Sequence, residues 1–417
     1  MNLKIKSFEL LQYFYRNVHE PFIHGFFHLS AHLDEQILSN AVTLSGNAIP
    51  LLFSTCTVNK GRPCWKRQAF SGKDVVHVVC AEENGQVQAQ ALLTSSIQID
   101  SEPQLKIFLV REKNSDTLCI IMNHMVCDGT GFKEYLYLLS SLYTNLMADK
   151  SYSLTLKTLP RGTGQLFQDL SMIEKIKILF SAYDLSEQKK QAIYQLEGDQ
   201  NNPLILTHQI GRAEFMKIKD YARRHGATVN DMILCAYARI LAFKTGKSHI
   251  VIPCPVDLRR YHTEAEHAIC NLTSNFICSV DVDNNSSFNE TLFLISKQMR
   301  LQKQSNACLK SVIMLETVFH ILPFRLLQYI FPKVFTVPVL SYTNLGTINK
   351  EKLCFSDIQV KDGYITGAIK FVPYFQIAAS TFNDRMTLSC NLYGTPQDWK
   401  RISDFLDLIH QELILPD

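Results

Sequence analysis

The 417-residue chain has no strong charge of either sign: 42 Lys and Arg stand against 39 Asp and Glu, for a net charge of +3. So small an excess gives no case for a nucleic-acid or anionic-membrane partner, and no nucleic-acid-binding motif is present. Paired cysteines are missing as well. Twelve cysteines are scattered with no CxxC pair and no Cys/His cluster at zinc spacing, so no metal site is expected. An uncharged apolar run of about 18 residues, the length a spanning helix needs, is absent. The start, Met1 to Tyr15, does not read as a signal peptide, because Lys4, Lys6 and Glu9 interrupt its apolar residues. Free thiols without an export signal point to a reducing cytoplasm, where the sequons at Asn271 and Asn289 carry no meaning. Internal repeats and low-complexity segments are also lacking.

What is present is ordinary globular material, 46% hydrophobic and 19% charged. The length is about twice that of a typical domain, which suggests two lobes. In the first, Phe26 to Leu29 reads as a strand, and His32-Leu33-Asp34 leads into an amphipathic helix carrying Leu33, Ile37, Leu38, Ala41 and Leu44. Leu51 to Val58 and Val75 to Val79 are strand-like, Gln104 to Val110 and Thr117 to Met122 form a hairpin, and Phe132 to Leu146 is helical. Residues 147 to 203 are polar and irregular, with a helix near Leu170 to Ala182, and place the lobe boundary: 1–165 and 166–417.

Two helices follow, Ala213 to His225, ended by Gly226, and Val229 to Lys244, capped by Thr228. Strands are expected at His249 to Pro253, Thr273 to Val280, Val339 to Thr343, Ile365 to Val372, Gln376 to Phe382 and Met386 to Tyr393, and a last helix at Pro396 to Leu413. Both lobes are mixed α and β. The apolar stretch Ser311 to Val339, punctuated by Pro323, Pro332 and Pro338, reads as packed core helices, with a greasy substrate channel or membrane-surface contact as the second reading.

The residues that carry chemistry are His124-Met125-Val126-Cys127-Asp128-Gly129, set where an apolar strand gives way to the Gly129/Gly131 break. A loop after a strand is free to shape a site. Histidine titrates near neutrality and can take a proton from a hydroxyl or amine. The aspartate four residues on can hold the turn or fix the ring, and Gly129 permits close approach or positive φ. By chance such a pattern is expected about 0.03 times at this chain's composition. Cys127 inside the motif could be a nucleophile, but no third group is implied to orient it. His262 and His267 with Glu264 and Glu266 read as a solvated loop rather than a metal site, and Gly162-Thr163-Gly164 is too short for a phosphate loop.

The motif resembles the HxxxDG signature of the chloramphenicol-acetyltransferase-like superfamily, which includes condensation domains, BAHD acyltransferases and alcohol acyltransferases. Further segments are similar in the same order: His32 through Leu52, Thr228-Val229-Asn230-Asp231, Asp257-Leu258-Arg259, Asn271 to Phe276, and Ser341 to Gly346 around Asn344. The resemblance implies an α/β (α+β) chain of two chloramphenicol-acetyltransferase-like lobes with a tunnel between them. It implies His124 as general base, a thioester donor (acyl-CoA or a phosphopantetheine arm) and an alcohol or amine acceptor, without an acyl-enzyme. Asp128 would be structural and paired with Arg259, while Gly129 N–H and the Asn344 side chain are candidates for the oxyanion. A monomer would suffice. Asn123 replaces the first of two histidines usual in condensation domains, Phe53 stands where many relatives carry arginine, and the BAHD DFGWG signature is missing. Asn123 leans away from peptide-bond condensation and towards the alcohol acyltransferase branch, and the missing signature argues against the BAHD branch. A free-standing condensation enzyme using an acyl or peptidyl carrier protein is the alternative, and a non-catalytic binding member is the reading from another class.

Overall fold

The computed structural model describes residues 2–81, 84–154, 161–167, 170–181, 193–261, 267–283, 286–335 and 337–414. Helices and sheets alternate along it. One six-stranded sheet orders its strands Cys354–Phe355, Ile358–Thr366, Phe22–Leu29, Asp116–Asn123, Leu105–Arg111 and Val76–Cys80, only the last pair being parallel. A second six-stranded sheet runs Leu340–Ile348, Phe375–Phe382, Arg385–Tyr393, Ile369–Lys370 and His19–Glu20, with Pro203–Ile210 also paired to Arg385–Tyr393. Each large sheet therefore contains strands from both sides of the irregular stretch 147–203. Two smaller sheets pair His249–Asp257 with Thr273–Asp281, and Asn2–Lys4 with Arg62–Arg67 and Ser54–Asn59.

The hairpin expected at Gln104–Met122 forms as Leu105–Arg111 with Asp116–Asn123. Its inner strand is buried along its whole length, which is why it reads as an unbroken apolar run rather than an alternating one. Thr228 caps the helix Val229–Thr245 through a capping box: its Oγ1 accepts from Asp231 N–H, and Asp231 Oδ2 accepts from Thr228 N–H at 2.9 Å. Gly226 leaves the preceding helix Arg212–Arg224 in the left-handed region at φ +62°, which suits glycine.

Two expected strands differ. Leu51–Val58 is not one strand, because Pro50 opens a 3-10 turn, Pro50–Phe53, before the strand Ser54–Asn59 begins. Ile365–Val372 is not one strand either. The chain leaves the first large sheet after Thr366, turns at Gly367, and adds Ile369–Lys370 to the second. The apolar stretch Ser311–Val339 forms the helices Leu309–Ile321 and Phe324–Val334, against which Phe14 packs through Phe324 and Phe331. Of the expected helix Leu170–Ala182, Met172–Leu179 is formed, and Ala182 lies outside the described residues. No described helix is long and apolar enough to cross a membrane.

Candidate active site

A cavity of about 430 Å³ opens where the two large sheets and the apolar helices meet. His124, Asp128 and Gly129 lie in its wall. So do Phe8, Leu11, Gln12 and Tyr15, which share one face of the helix Ser7–Tyr15 at 3–4 residue spacing. Ser311, Val312, Met314 and Leu315 add an apolar side, followed by Val334, Phe335, Val337 and Pro338. The apolar stretch thus supplies core packing and one wall of the cavity together.

His124 follows the buried strand Asp116–Asn123. Its N–H donates to Pro21 O at 2.7 Å, pinning the loop to the segment that enters the neighbouring strand. Asn271 fixes the ring. Its Nδ2 donates to the carbonyls of His124, at 2.8 Å, and Met125, which turns its Oδ1 towards His124 Nδ1 at 3.2 Å. An acceptor at that distance assigns the ring proton to Nδ1 and leaves the Nε2 lone pair to receive a proton. Burial lowers the pKa of His124 below its ordinary value. Its own backbone, Asp128 and Asn271 pull the other way, and the nearby Lys370 cation pushes it further down. The imidazole is thereby held neutral, the state a base requires.

Asp128, also in the wall, spends its carboxylate on the scaffold. It is the N-cap of the 20-residue helix Gly129–Ala148, where its Oδ1 accepts from Gly131 N–H at 2.8 Å. Its Oδ2 accepts from Leu272 N–H at 2.7 Å and from Arg259 Nη1 at 2.9 Å. The two side chains are 8% and 4% exposed. Arg259 spends its other donors on the carbonyls of Ala268 and Cys270 and on Asp257 Oδ1. Burial works against its charge, but the carboxylates of Asp128 and Asp257 outweigh that and raise its pKa. All these contacts join the HxxxDG turn to the 257–272 segment, far away in sequence.

Gly129 is the first residue of the helix, where an N–H has no intrahelical partner, and it lies in the cavity wall. Close approach explains the glycine, since an added Cβ would collide with the Leu345 side chain. At Gly131 the neighbours are less able to yield: its Cβ would sit 2.8 Å from Cys127 Cβ and 3.1 Å from the backbone Cys270 O.

Asn344 lies outside the cavity lining. In the strand Leu340–Ile348, Ser341, Thr343 and Leu345 line the cavity, and Asn344 is not among the lining residues. Alternation sends it to the other face, where its Nδ2 donates to Asn230 Oδ1 at 3.1 Å and its Oδ1 accepts from Gly346 N–H. Cys127 is fully buried beside Met122, outside the cavity lining, and burial raises its thiol pKa well above the ordinary value. His267 pairs with Glu134 at the surface, whereas His262, Glu264 and Glu266 lie outside the described residues. Among the described residues no group of three His, Cys, Asp or Glu could hold a metal.

Sequence reasoning missed the polar part of the wall. Lys370 Nζ donates to His19 Nδ1 at 3.2 Å, both residues being buried and lining the cavity. The signal was a lone lysine in the apolar run Ala368 to Val372. Asn271 was read only as part of a strand motif and a sequon.

No protein-family model matches the sequence. Among curated proteins, bacitracin synthase 3 of Bacillus licheniformis is 24% identical over 191 residues, covering 41% of this chain and only 3% of that synthase. Among solved structures, the first condensation domain of the calcium-dependent antibiotic synthetase superposes with a TM-score of 0.73 at 13% identity, covering 100% of this chain and 97% of that one. Trichothecene 15-O-acetyltransferase from Fusarium sporotrichioides gives 0.70 at 12%, covering 99% and 95%. Polyketide synthase associated protein 5 from Mycobacterium tuberculosis gives 0.68 at 15%, covering 100% and 98%. End to end, the chain has the fold shared by these condensation domains and this acetyltransferase.

Proposed function

We propose that this protein is an acyltransferase, passing an acyl group from a thioester to an alcohol or amine with His124 as general base. The observation that carries the reading is a neutral imidazole in a cavity wall, its Nδ1 against Asn271 and its Nε2 lone pair unspent. His124 takes the proton of the acceptor nucleophile as that atom attacks the thioester carbonyl. The tetrahedral oxyanion collapses, expels the thiolate, and the imidazolium returns the proton to it. Gly129 N–H, at the positive end of the helix Gly129–Ala148, is the candidate oxyanion donor. Asp128 and Arg259 hold the turn without touching substrate.

Acyl-CoA is the donor we favour. The short match to bacitracin synthase 3 favours a second reading, in which the thioester sits on a carrier protein. Release of free thiol from an acyl-CoA panel against alcohols and amines tests the first, with His124→Ala expected to lower kcat by about 10²–10⁴. Turnover only with a phosphopantetheinylated carrier protein would select the second. Binding of thioesters with no thiol released for any acceptor would overturn both in favour of a non-catalytic member.

A further inference from the structure

The cavity wall contains a polar cluster that proton abstraction at His124 does not use. Lys370 is 7% exposed, His19 5% and Gln12 9%, and all three line the cavity. Lys370 reaches this position because the chain switches sheets at Gly367 and pairs Lys370 with His19 and Ile369 with Glu20. From His19 the chain runs through Pro21, whose carbonyl holds the His124 N–H at 2.7 Å. A path of three residues, His19 to Pro21, therefore connects the cluster to the proposed base.

The hydrogen-bond inventory of the cluster is incomplete in a specific way. Lys370 Nζ gives one N–H to His19 Nδ1. Among the described residues it makes no other hydrogen bond and no ion pair with a carboxylate. Glu20, paired across the strands with Ile369, forms no ion pair with Lys370, and its own Oε2 is buried without a partner. Because His19 Nδ1 accepts, a neutral His19 carries its proton on Nε2, and that atom is buried without a partner. Gln12 Oε1 is also buried and unpartnered. These wall residues thus hold two lysine N–H groups, one imidazole N–H and one amide oxygen without partners among the described residues, all desolvated. Burying a cation and unpaired polar atoms is costly, and such groups persist where a ligand completes them.

We propose that Lys370, His19 and Gln12 form a subsite for a carboxylate carried by one of the two substrates, with Gln12 accepting from a hydroxyl or amide N–H beside it. The inference rests on the acyl-transfer reading only for the word substrate. One cation and one neutral donor suit a singly charged carboxylate. A phosphate dianion would ask for more donors, such as an arginine fork, and no arginine lines the cavity. Burial, which lowers the Lys370 pKa to about 8, is the desolvation that makes an incoming anion effective.

The carboxylate could belong to the acceptor or to the acyl group of the donor, so the test has two arms. Calorimetric binding at pH 7 compares 3-hydroxydecanoate with its primary amide, and succinyl-CoA with butyryl-CoA. Wild type, Lys370→Met, Lys370→Gln and Lys370→Arg are measured, each checked for folding by its melting curve. In one arm the acid should bind wild type about tenfold or more tightly than its neutral partner. That preference should collapse to within about twofold in Lys370→Met and Lys370→Gln and survive in Lys370→Arg. Equal binding of acid and neutral probe in both arms, no acid binding at all, or a preference that Lys370→Met retains would each overturn the subsite. Thiol release is followed separately. An acid preference without any thiol release removes the acyl-transfer reading and leaves the subsite, whereas thiol release without an acid preference does the reverse.

Discussion

Replacing Asp128 by alanine separates scaffolding from chemistry, because its carboxylate closes three contacts at once. Arg259 would lose its buried carboxylate partner and keep Asp257, whose side chain is 39% exposed, as its remaining ion pair. Leu272 N–H would lose its acceptor, and the helix Gly129–Ala148 its cap. Breaking a buried pair from one side costs about 3–5 kcal/mol, a figure that already includes the stranded charge. With an unfolding entropy of about 2.1 cal/mol/K per residue, 417 residues give about 0.9 kcal/mol/K, so a loss of about 4 kcal/mol lowers Tm by about 5 °C. His124→Ala removes one ring from a cavity wall and should shift Tm far less while lowering the rate. Differential scanning calorimetry on Asp128→Ala, Asp128→Asn, Arg259→Met and the Asp128→Ala/Arg259→Met double variant makes the comparison. The double variant should recover part of the loss, because it removes the stranded charge. A Tm for Asp128→Ala within about 1 °C of that of His124→Ala would refute the assignment.

Gly131→Ala should destabilise by about 1–3 kcal/mol, read from a chemical-denaturation midpoint, because its Cβ would press on Cys127 Cβ and the fixed carbonyl of Cys270. Lys370→Met should be more stable than wild type at pH 7. The folded-state pKa of about 8 lies below the ordinary 10.5, so folding disfavours the proton, and wild type carries a penalty of about 3 kcal/mol below pH 8 that vanishes by about pH 10.5. The stability difference between the two proteins, followed by denaturation across that window, should shrink as pH rises.

Local features were legible and parity was not. Asp128 followed by Gly129 and an apolar helical pattern is a cap signal within five residues, and it places the turn correctly. The Asp128–Arg259 contact crosses 131 positions, so spacing could not reveal it, and only the resemblance pointed to Arg259. Asn344 shows the limit. Its motif was found, but which face of a strand a residue takes depends on register, and a one-residue difference moves a side chain from cavity to far side. Lys370 was hidden because its position requires a strand to leave one sheet and join another at Gly367. Glu9 was read as a charge that spoils an export signal. In the fold it is a buried acceptor for Trp65 Nε1 at 2.8 Å and Arg161 at 3.0 Å.

The cation beside His124 has a kinetic consequence. In the free protein the charge of Lys370 lowers the proton affinity of His124, added to the effect of burial, so the acid limb of kcat/KM should fall below pH 6.5. Below that limb the imidazole is protonated and cannot act as a base. A substrate carboxylate seated on Lys370 cancels much of that charge, and His124 then holds a proton more readily in the complex than in the free protein. The acid limb of kcat, which reports the complex, should therefore lie at higher pH than the limb of kcat/KM for a carboxylate substrate. For the matched neutral amide or acyl group the two limbs should stay together, and in Lys370→Met the separation should vanish. Parallel pH–rate profiles for the two members of a pair measure this directly. Coincident limbs for the acid, in a protein that binds it more tightly than the amide, would show that Lys370 recognises the carboxylate without reaching His124.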